Sequence, residues 1–248
     1  MQVLRVENLW KIYPGGVEAL RGVSLELEEG VVAALVGPNG AGKTTMFRII
    51  AGLLKPTRGR VVVDGVEVHR NLMEARRRFA YLPEEVGGYR NLTGREYIRL
   101  VVTLYLSARG ATRREIEEAV EEAERLSGLG DALSKRMREY SKGMKRRVQV
   151  AWILAVAPRL AILDEPTSGL DVEASYRLRM LIREKVREKG VTVLFSSHNM
   201  LEVEHMADVV FLIHRGRIIA EGHPREIIEK TGARNLEEAY MTIVGGLG

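Results

Sequence analysis

The sequence predicts an α/β fold with a helical lobe inserted into it, on three observations. Apolar runs of strand length at Val31 to Val36, Leu160 to Leu163, Val191 to Phe195 and Val209 to Ile213 are interspersed with helical stretches, the pattern of a layered α/β core. The first run leads straight into a glycine-rich loop and then a helix, a β-loop-α-β opening. Between the first and second runs, from about Glu84 to Ala157, the pattern becomes helical.

Taken in order, the chain begins with two alternating segments, LRVEN and VSLELEEG, separated by Pro14-Gly15-Gly16, which read as short antiparallel strands with a loop between them. The buried strand at Val31 to Val36 follows. A helix from Lys43 to about Leu53 stops ahead of Pro56, and a strand at Arg60 to Val63 turns on Asp64-Gly65. In the helical block Thr112 and Glu115 form a capping box ahead of apolar Ile116, Ala119, Val120, Ala123 and Leu126, and the acidic run Glu115 to Glu124 reads as that helix's solvated face. The boundaries expected are therefore a core with its β edge in 1–83 and 158–248, and a helical lobe in 84–157. A charged helix at Val172 to Lys189, a hairpin near His214 to Arg217, a helix started by Pro224 and a last helix capped by Asn235 with Glu238 complete the chain.

A chain of 248 residues, 46% hydrophobic, can bury a full core. Its longest clean apolar run, VVAALV, is far short of the roughly eighteen residues a spanning helix needs, and no charged n-region with an apolar h-region opens the sequence. A cytoplasmic protein that does not cross a membrane by itself is expected. The absence of cysteine excludes disulfides, thiol catalysis and cysteine-ligated zinc. A net charge of +5 suits nucleic acid, a membrane surface or phosphate ligands without choosing among them.

GPNGAGKTT matches G-x-x-x-x-G-K-[ST] between a buried strand and a helix, where its mechanism needs it. Gly37, Pro38, Asn39, Gly40, Ala41, Gly42, Lys43, Thr44 and Thr45 are the phosphate-binding candidates: backbone N–H groups curl around phosphate oxygens, Lys43 reaches the β- and γ-phosphates, and the Thr44 hydroxyl serves Mg²⁺. RLAILDEP is an apolar strand ending in two carboxylates. Asp164 is the acid on the Mg²⁺ side, acting through water, and Glu165 the base that polarises a water for in-line attack; in isolation such a pair also reads as a loop cap. VTVLFSSHNM ends a further strand at His198, either a packed or capping residue or a hydrogen-bonding partner of the γ-phosphate and attacking water. In YSKGMKRRVQV, Ser141 and the free N–H groups of a helix start form an anion site, with Gly143 allowing close approach; the alternative is an ordinary serine N-cap.

In sequence order GPNGAGKTT, YSKGM, LAILDEP, SGLD and SSH resemble the nucleotide-binding subunits of ABC transporters over essentially the whole chain. The resemblance implies a P-loop NTPase (RecA-like) core with an antiparallel β subdomain and an inserted helical subdomain. It makes Gly37 to Thr45 Walker A, Asp164 and Glu165 the end of Walker B, and Ser141 to Met144 the signature. Ser168 to Asp171 becomes the D-loop, with Asp171 near the nucleotide, and His198 the switch histidine. Tyr13 aligns with the aromatic that stacks on adenine; otherwise it is a half-buried tyrosine at a strand end. Two departures stand out. Tyr140, Lys142 and Met144 replace Leu, Gly and Gln of the signature, and Glu84 in YLPEE replaces the lobe-joining glutamine, which makes it a candidate for both nucleotide and metal. YLPEE and SSHNMLEVE look like the ATPases of export systems, including sodium and drug efflux.

The function expected is that of a cytoplasmic Mg-ATPase, peripheral on the inner face of the membrane, which binds ATP between two copies and powers a separately encoded multi-span permease. A soluble ABC ATPase acting on nucleic acid or ribosomes is the rival; a P-loop kinase or GTPase leaves YSKGM and SGLD unexplained. Base stacking on an aromatic is worth about 1 to 3 kcal/mol. Tyr13→Ala is therefore expected to raise the KM for ATP several-fold in steady-state hydrolysis, and an unchanged KM removes Tyr13 from the adenine site.

Overall fold

The computed structural model describes residues 1–85, 87 and 89–246. Strands β1 (Gln2–Ile12) and β2 (Glu18–Glu28) alternate buried and exposed positions, so that Val3, Val6 and Leu9 from one and Val23, Leu25 and Leu27 from the other line a common face. Strand β3 (Val32–Val36) is buried throughout and delivers the chain to the glycine-rich loop. Helix α1 (Lys43–Ile50) starts from Gly42, which at φ 112° adopts a conformation closed to side chains, and a Cβ there would also meet the Ala19 carbonyl at 2.6 Å. This helix ends at Ile50, earlier than the sequence suggests, because Gly52 turns left-handed.

Strands β4 (Arg58–Val63) and β5 (Val66–Glu67), the short helix α2 (Leu72–Arg76) and strand β6 (Phe79–Leu82) come next. The lobe holds α3 (Gly94–Ser107), α4 (Arg113–Ser127) and α5 (Lys142–Ala155), with two short 3₁₀ turns before α5. Beyond it lie β7 (Leu160–Leu163), α6 (Val172–Lys189), β8 (Thr192–Ser197), α7 (Met200–Met206), β9 (Val209–His214), β10 (Arg217–Gly222), α8 (Pro224–Thr231) and α9 (Leu236–Gly245).

Two sheets result. The first is antiparallel, in the order β2-β1-β4-β5. The second has the order β10-β9-β3-β8-β7-β6 and is parallel from β9 to β6, with β10 as an antiparallel edge. One apolar core fills the space between the sheets around Phe47, Ile49 and Phe211; a second lies across the other face of the parallel sheet around Ile153, Ile182 and Phe195. A parallel sheet sends all its strand ends to one edge, which brings the segments after β3, β6, β7 and β8 together.

The lobe has its own apolar cluster, Ile98, Val102, Val120, Ala123 and Val148 among others. Tyr140 belongs to that cluster, where its hydroxyl donates to the Ala132 carbonyl at 2.7 Å. The unusual first residue of the signature is thus an element of lobe packing. Between lobe and core, Lys185 of α6 places its ammonium 2.5 Å from Glu122 of α4, with the lysine side chain only 4% exposed. Removing the acid leaves a buried cation without its main partner, whereas replacing the lysine removes the charge itself. Glu122→Ala is expected to cost about 2 to 3 kcal/mol of unfolding free energy in urea titration and Lys185→Met less, since Glu122 can then turn to water.

Candidate active site

The site forms where β3, β7 and β8 end. The phosphate loop, Glu84 and Glu165 line one cavity of about 260 Å³, to which Pro38, Asn39, Gly40, Lys43, Thr44 and Thr45 contribute. In this state Lys43 is turned onto its own loop, donating to the Gly37 carbonyl at 2.6 Å and the Pro38 carbonyl at 3.2 Å. Burial pushes its pKa down, against the pull of Glu165, Asp164 and Glu84. Tyr13, just beyond β1, lies over the start of α1 with its hydroxyl 3.3 Å from the Thr45 hydroxyl.

At the end of β7 Asp164 is fully buried and Glu165 is 7% exposed. Ser196 of β8 organises both: its hydroxyl donates to Asp164 Oδ1 at 2.5 Å and its oxygen accepts from the Glu165 N–H at 2.9 Å. Glu165 takes φ 49°, a left-handed conformation uncommon for a residue with a side chain, and its Oε2 sits 3.0 Å from His198 Nδ1. Burial raises the pKa of both acids. For Asp164 the hydroxyls of Ser196 and Thr44 oppose it, and for Glu165 it is His198 that opposes. Asp164 Oδ2 is buried with no partner among the described residues. A lone carboxylate oxygen facing a threonine hydroxyl beside a phosphate loop fits a Mg²⁺ ion that keeps its waters. No group of three His, Asp or Glu clusters closely enough among the described residues to hold a metal by itself.

Ser141, Gly143 and Asp171 do not line the phosphate-loop cavity of their own chain. Ser141 caps α5, accepting from the Met144 N–H at 3.1 Å. The close approach at Gly143 is made by its own chain, because a Cβ there would stand 3.0 Å from the Gly169 carbonyl. Lys142 lies across Gly169 and donates to the Ser168 hydroxyl at 3.3 Å, so the signature and the SGLD segment form one surface. Asp171 caps α6 through the Ala174 N–H at 2.7 Å and faces a separate cleft with Arg125 and Arg147. Sequence reasoning missed Ser196, which reads there as one of two serines before a histidine, and Arg146, which reads as one cation in a basic run.

The raised pKa of Asp164 has a definite sign in stability. A carboxyl whose folded-state pKa exceeds its unfolded value favours folding at acid pH, and that contribution is lost as pH rises through the folded value. Asp164→Asn is therefore expected to melt higher than the parent at about pH 8, the gap closing by about pH 2 to 3, below the ordinary carboxyl value, where the parent acid is neutral in both states. A lower melting temperature at both pH values would place the stabilising role of the ionised carboxylate above its burial cost.

Residues 20–168 match the family model described as ABC transporter. The ABC transporter ATP-binding protein NatA of Bacillus subtilis (strain 168) is 37% identical over 227 residues, 91% of this chain and 90% of its own length. Among solved structures, an ATP-binding subunit of an ABC transporter superposes with a TM-score of 0.88 at 33% identity, covering 98% of this chain and 99% of the other. A dimeric ATP-binding cassette in a post-hydrolysis state with ADP and Pi gives 0.80 at 25% identity, over 89% of this chain and 98% of the other. A phosphate loop facing paired carboxylates at the edge of a parallel sheet, matched along nearly the whole length to these proteins, places this chain in the ABC transporter family as one of its ATP-hydrolysing domains.

Proposed function

We propose that two copies of this chain bind two Mg-ATP between them and drive export through a separate multi-span permease, from the inner face of the cell membrane. The observation that carries this reading is the division of the phosphate-binding groups. Lys43, Glu84, Glu165 and the phosphate loop meet at one cavity, with Asp164 buried next to Glu165, while the helix start at Ser141 and Gly143, a second candidate anion-binding surface, lies outside it. A face-to-face arrangement of two chains would bring each helix start to the other's loop. Export is supported by YLPEE and SSHNMLEVE, and no helix among the described residues is long and apolar enough to cross a membrane.

In this reading the loop N–H groups of Gly37 to Thr45 hold the phosphates, and Lys43 exchanges its two carbonyl partners for the β- and γ-phosphates. Thr44, Asp164 and Glu84 would hold Mg²⁺, directly or through water, and the ion would supply positive charge beside the transferring group. Glu165 orients and deprotonates the attacking water. His198 keeps the Glu165 carboxylate aimed and ionised, since the same contact that fixes it at 3.0 Å opposes the effect of burial. Tyr13 supports the adenine. Residues 84–157 move as one unit against the core, with Glu84 at the joint.

Glu165→Gln keeps the shape of the site and removes the base, so it should trap an ATP-bound dimer with turnover reduced about a hundredfold or more. Size-exclusion chromatography of this variant with and without Mg-ATP is the check: a nucleotide-dependent shift to twice the mass is expected, and a monomer under both conditions rejects the shared site. Ribosomes or DNA, in place of a permease, co-purifying from native membranes would reject the transport assignment.

A further inference from the structure

Arg146 is the largest side chain that the fold excludes completely from solvent. It comes from α5, the helix that Ser141 caps, and its guanidinium is directed at backbone. Nη1 donates to the Pro83 carbonyl at 2.8 Å and to the Asp164 carbonyl at 3.4 Å, and Nη2 donates to the Glu84 carbonyl. Its Nε has no partner among the described residues. One turn along the same helix Gln149 donates to the Gly87 carbonyl at 2.8 Å. The loop that carries Glu84 is therefore fastened to α5 at two points, and one guanidinium ties both to the end of β7.

Fastening a loop requires donors, which a neutral glutamine also has. A fully buried cation held only by carbonyl oxygens is expensive unless its charge has a use. The charges around it supply one. Asp164, Glu84 and Glu165 all act on Arg146 and all act on Lys43, so three carboxylates share two cations before any phosphate arrives. A carboxylate at 84 beside two others and a triphosphate is strongly disfavoured without a compensating positive charge. We infer that Arg146 is a positioning residue for hydrolysis and the counter-charge of the acid at 84: it holds the Glu84 loop against β7 and supplies, from inside the protein, the positive charge that lets a carboxylate stand there. This rests on the active-site reading above.

Charge pairing and hydrogen bonding give different results in a double-mutant cycle. Glu84→Gln removes negative charge at the metal position and should raise the Mg²⁺ concentration for half-maximal hydrolysis by about threefold, while Arg146→Gln should lower it by about threefold and the double variant should return to within about a factor of two of the parent. Arg146→Lys keeps the charge but not the planar fork, so it should retain the parent's Mg²⁺ dependence and KM while kcat falls about three- to tenfold. Melting without nucleotide adds a readout free of catalysis: Arg146→Gln should melt lower than the parent, and adding Glu84→Gln should recover part of the loss. Shifts of the two single variants in the same direction, an Arg146→Lys that behaves as Arg146→Gln in Mg²⁺ titration, or a double variant that melts or fails to fold as Arg146→Gln does, would each overturn the inference. Glu165→Gln measured alongside separates the two readings: undiminished turnover there sinks the active-site assignment, whereas its loss together with an uncoupled cycle sinks only the role of Arg146.

Discussion

Two carboxylates withdrawn from water at the end of β7 set the terms for everything around them. Asp164 has no exposure and Glu165 very little, and burial raises the pKa of both, so each needs a group that favours its charged form. Ser196 answers this from the neighbouring strand with one hydroxyl that donates to Asp164 and accepts from the Glu165 backbone. Lys43 answers it from the phosphate loop and Arg146 from the lobe. Because parallel pairing of β3, β8 and β7 puts these strand ends side by side, the sheet order is itself a requirement of the site.

The same charges connect the site to the lobe. Arg146 reaches the ends of both β6 and β7 from α5, and Lys185 meets Glu122 on the far side, so the lobe is held at one end through backbone carbonyls and at the other by a buried ion pair. Between these lies a cleft lined by Arg125, Arg147, Asp171 and Arg177. Apolar packing joins them as well, since Val150, Ile153 and Leu154 of α5 share one core with β7, α6 and β8, so close fit seats α5 while the polar contacts beside the cleft fix its orientation. In our reading, a change at Glu84 is transmitted to the lobe through those contacts.

Much of this was legible in the sequence because the features concerned are local. The phosphate loop, the α6 span, the Thr112 and Asn235 caps and the hairpin at His214 depend on residues close together in the chain, and the structure reproduces them. Strand β6, of four residues between an arginine run and YLPEE's proline, carries too short a pattern to assign from sequence, and the capping box of Thr93 with Glu96 lies inside the block that reads as helical from about Glu84. Arg146 was not legible for a different reason. In KRRVQV it is one of three consecutive cations, and only the tertiary fold distinguishes its fully buried side chain from its part-exposed neighbours Lys145 and Arg147. Tyr140 is the converse case: a departure from the signature pattern that looks functional in sequence and is packed into the lobe.

Several polar groups of the site are satisfied from within one chain. Lys43 is bonded to two loop carbonyls, Glu165 to His198, Asp164 Oδ1 to Ser196 and Ser141 to its own helix. Binding a nucleotide is therefore largely an exchange of partners, and a hydrogen bond exchanged for another contributes only about 1 kcal/mol net. Phosphate on one loop gains charge-assisted bonds but must displace the lysine's internal ones. Asp164 Oδ2 is buried without a partner among the described residues, and it calls for a cation instead of a phosphate. A second copy changes this balance, because in our reading it brings the helix start at Ser141 and Gly143 to phosphate oxygens that one chain leaves facing water. In this reading hydrolysis is tied to assembly because the phosphate contacts are complete only when two chains supply them.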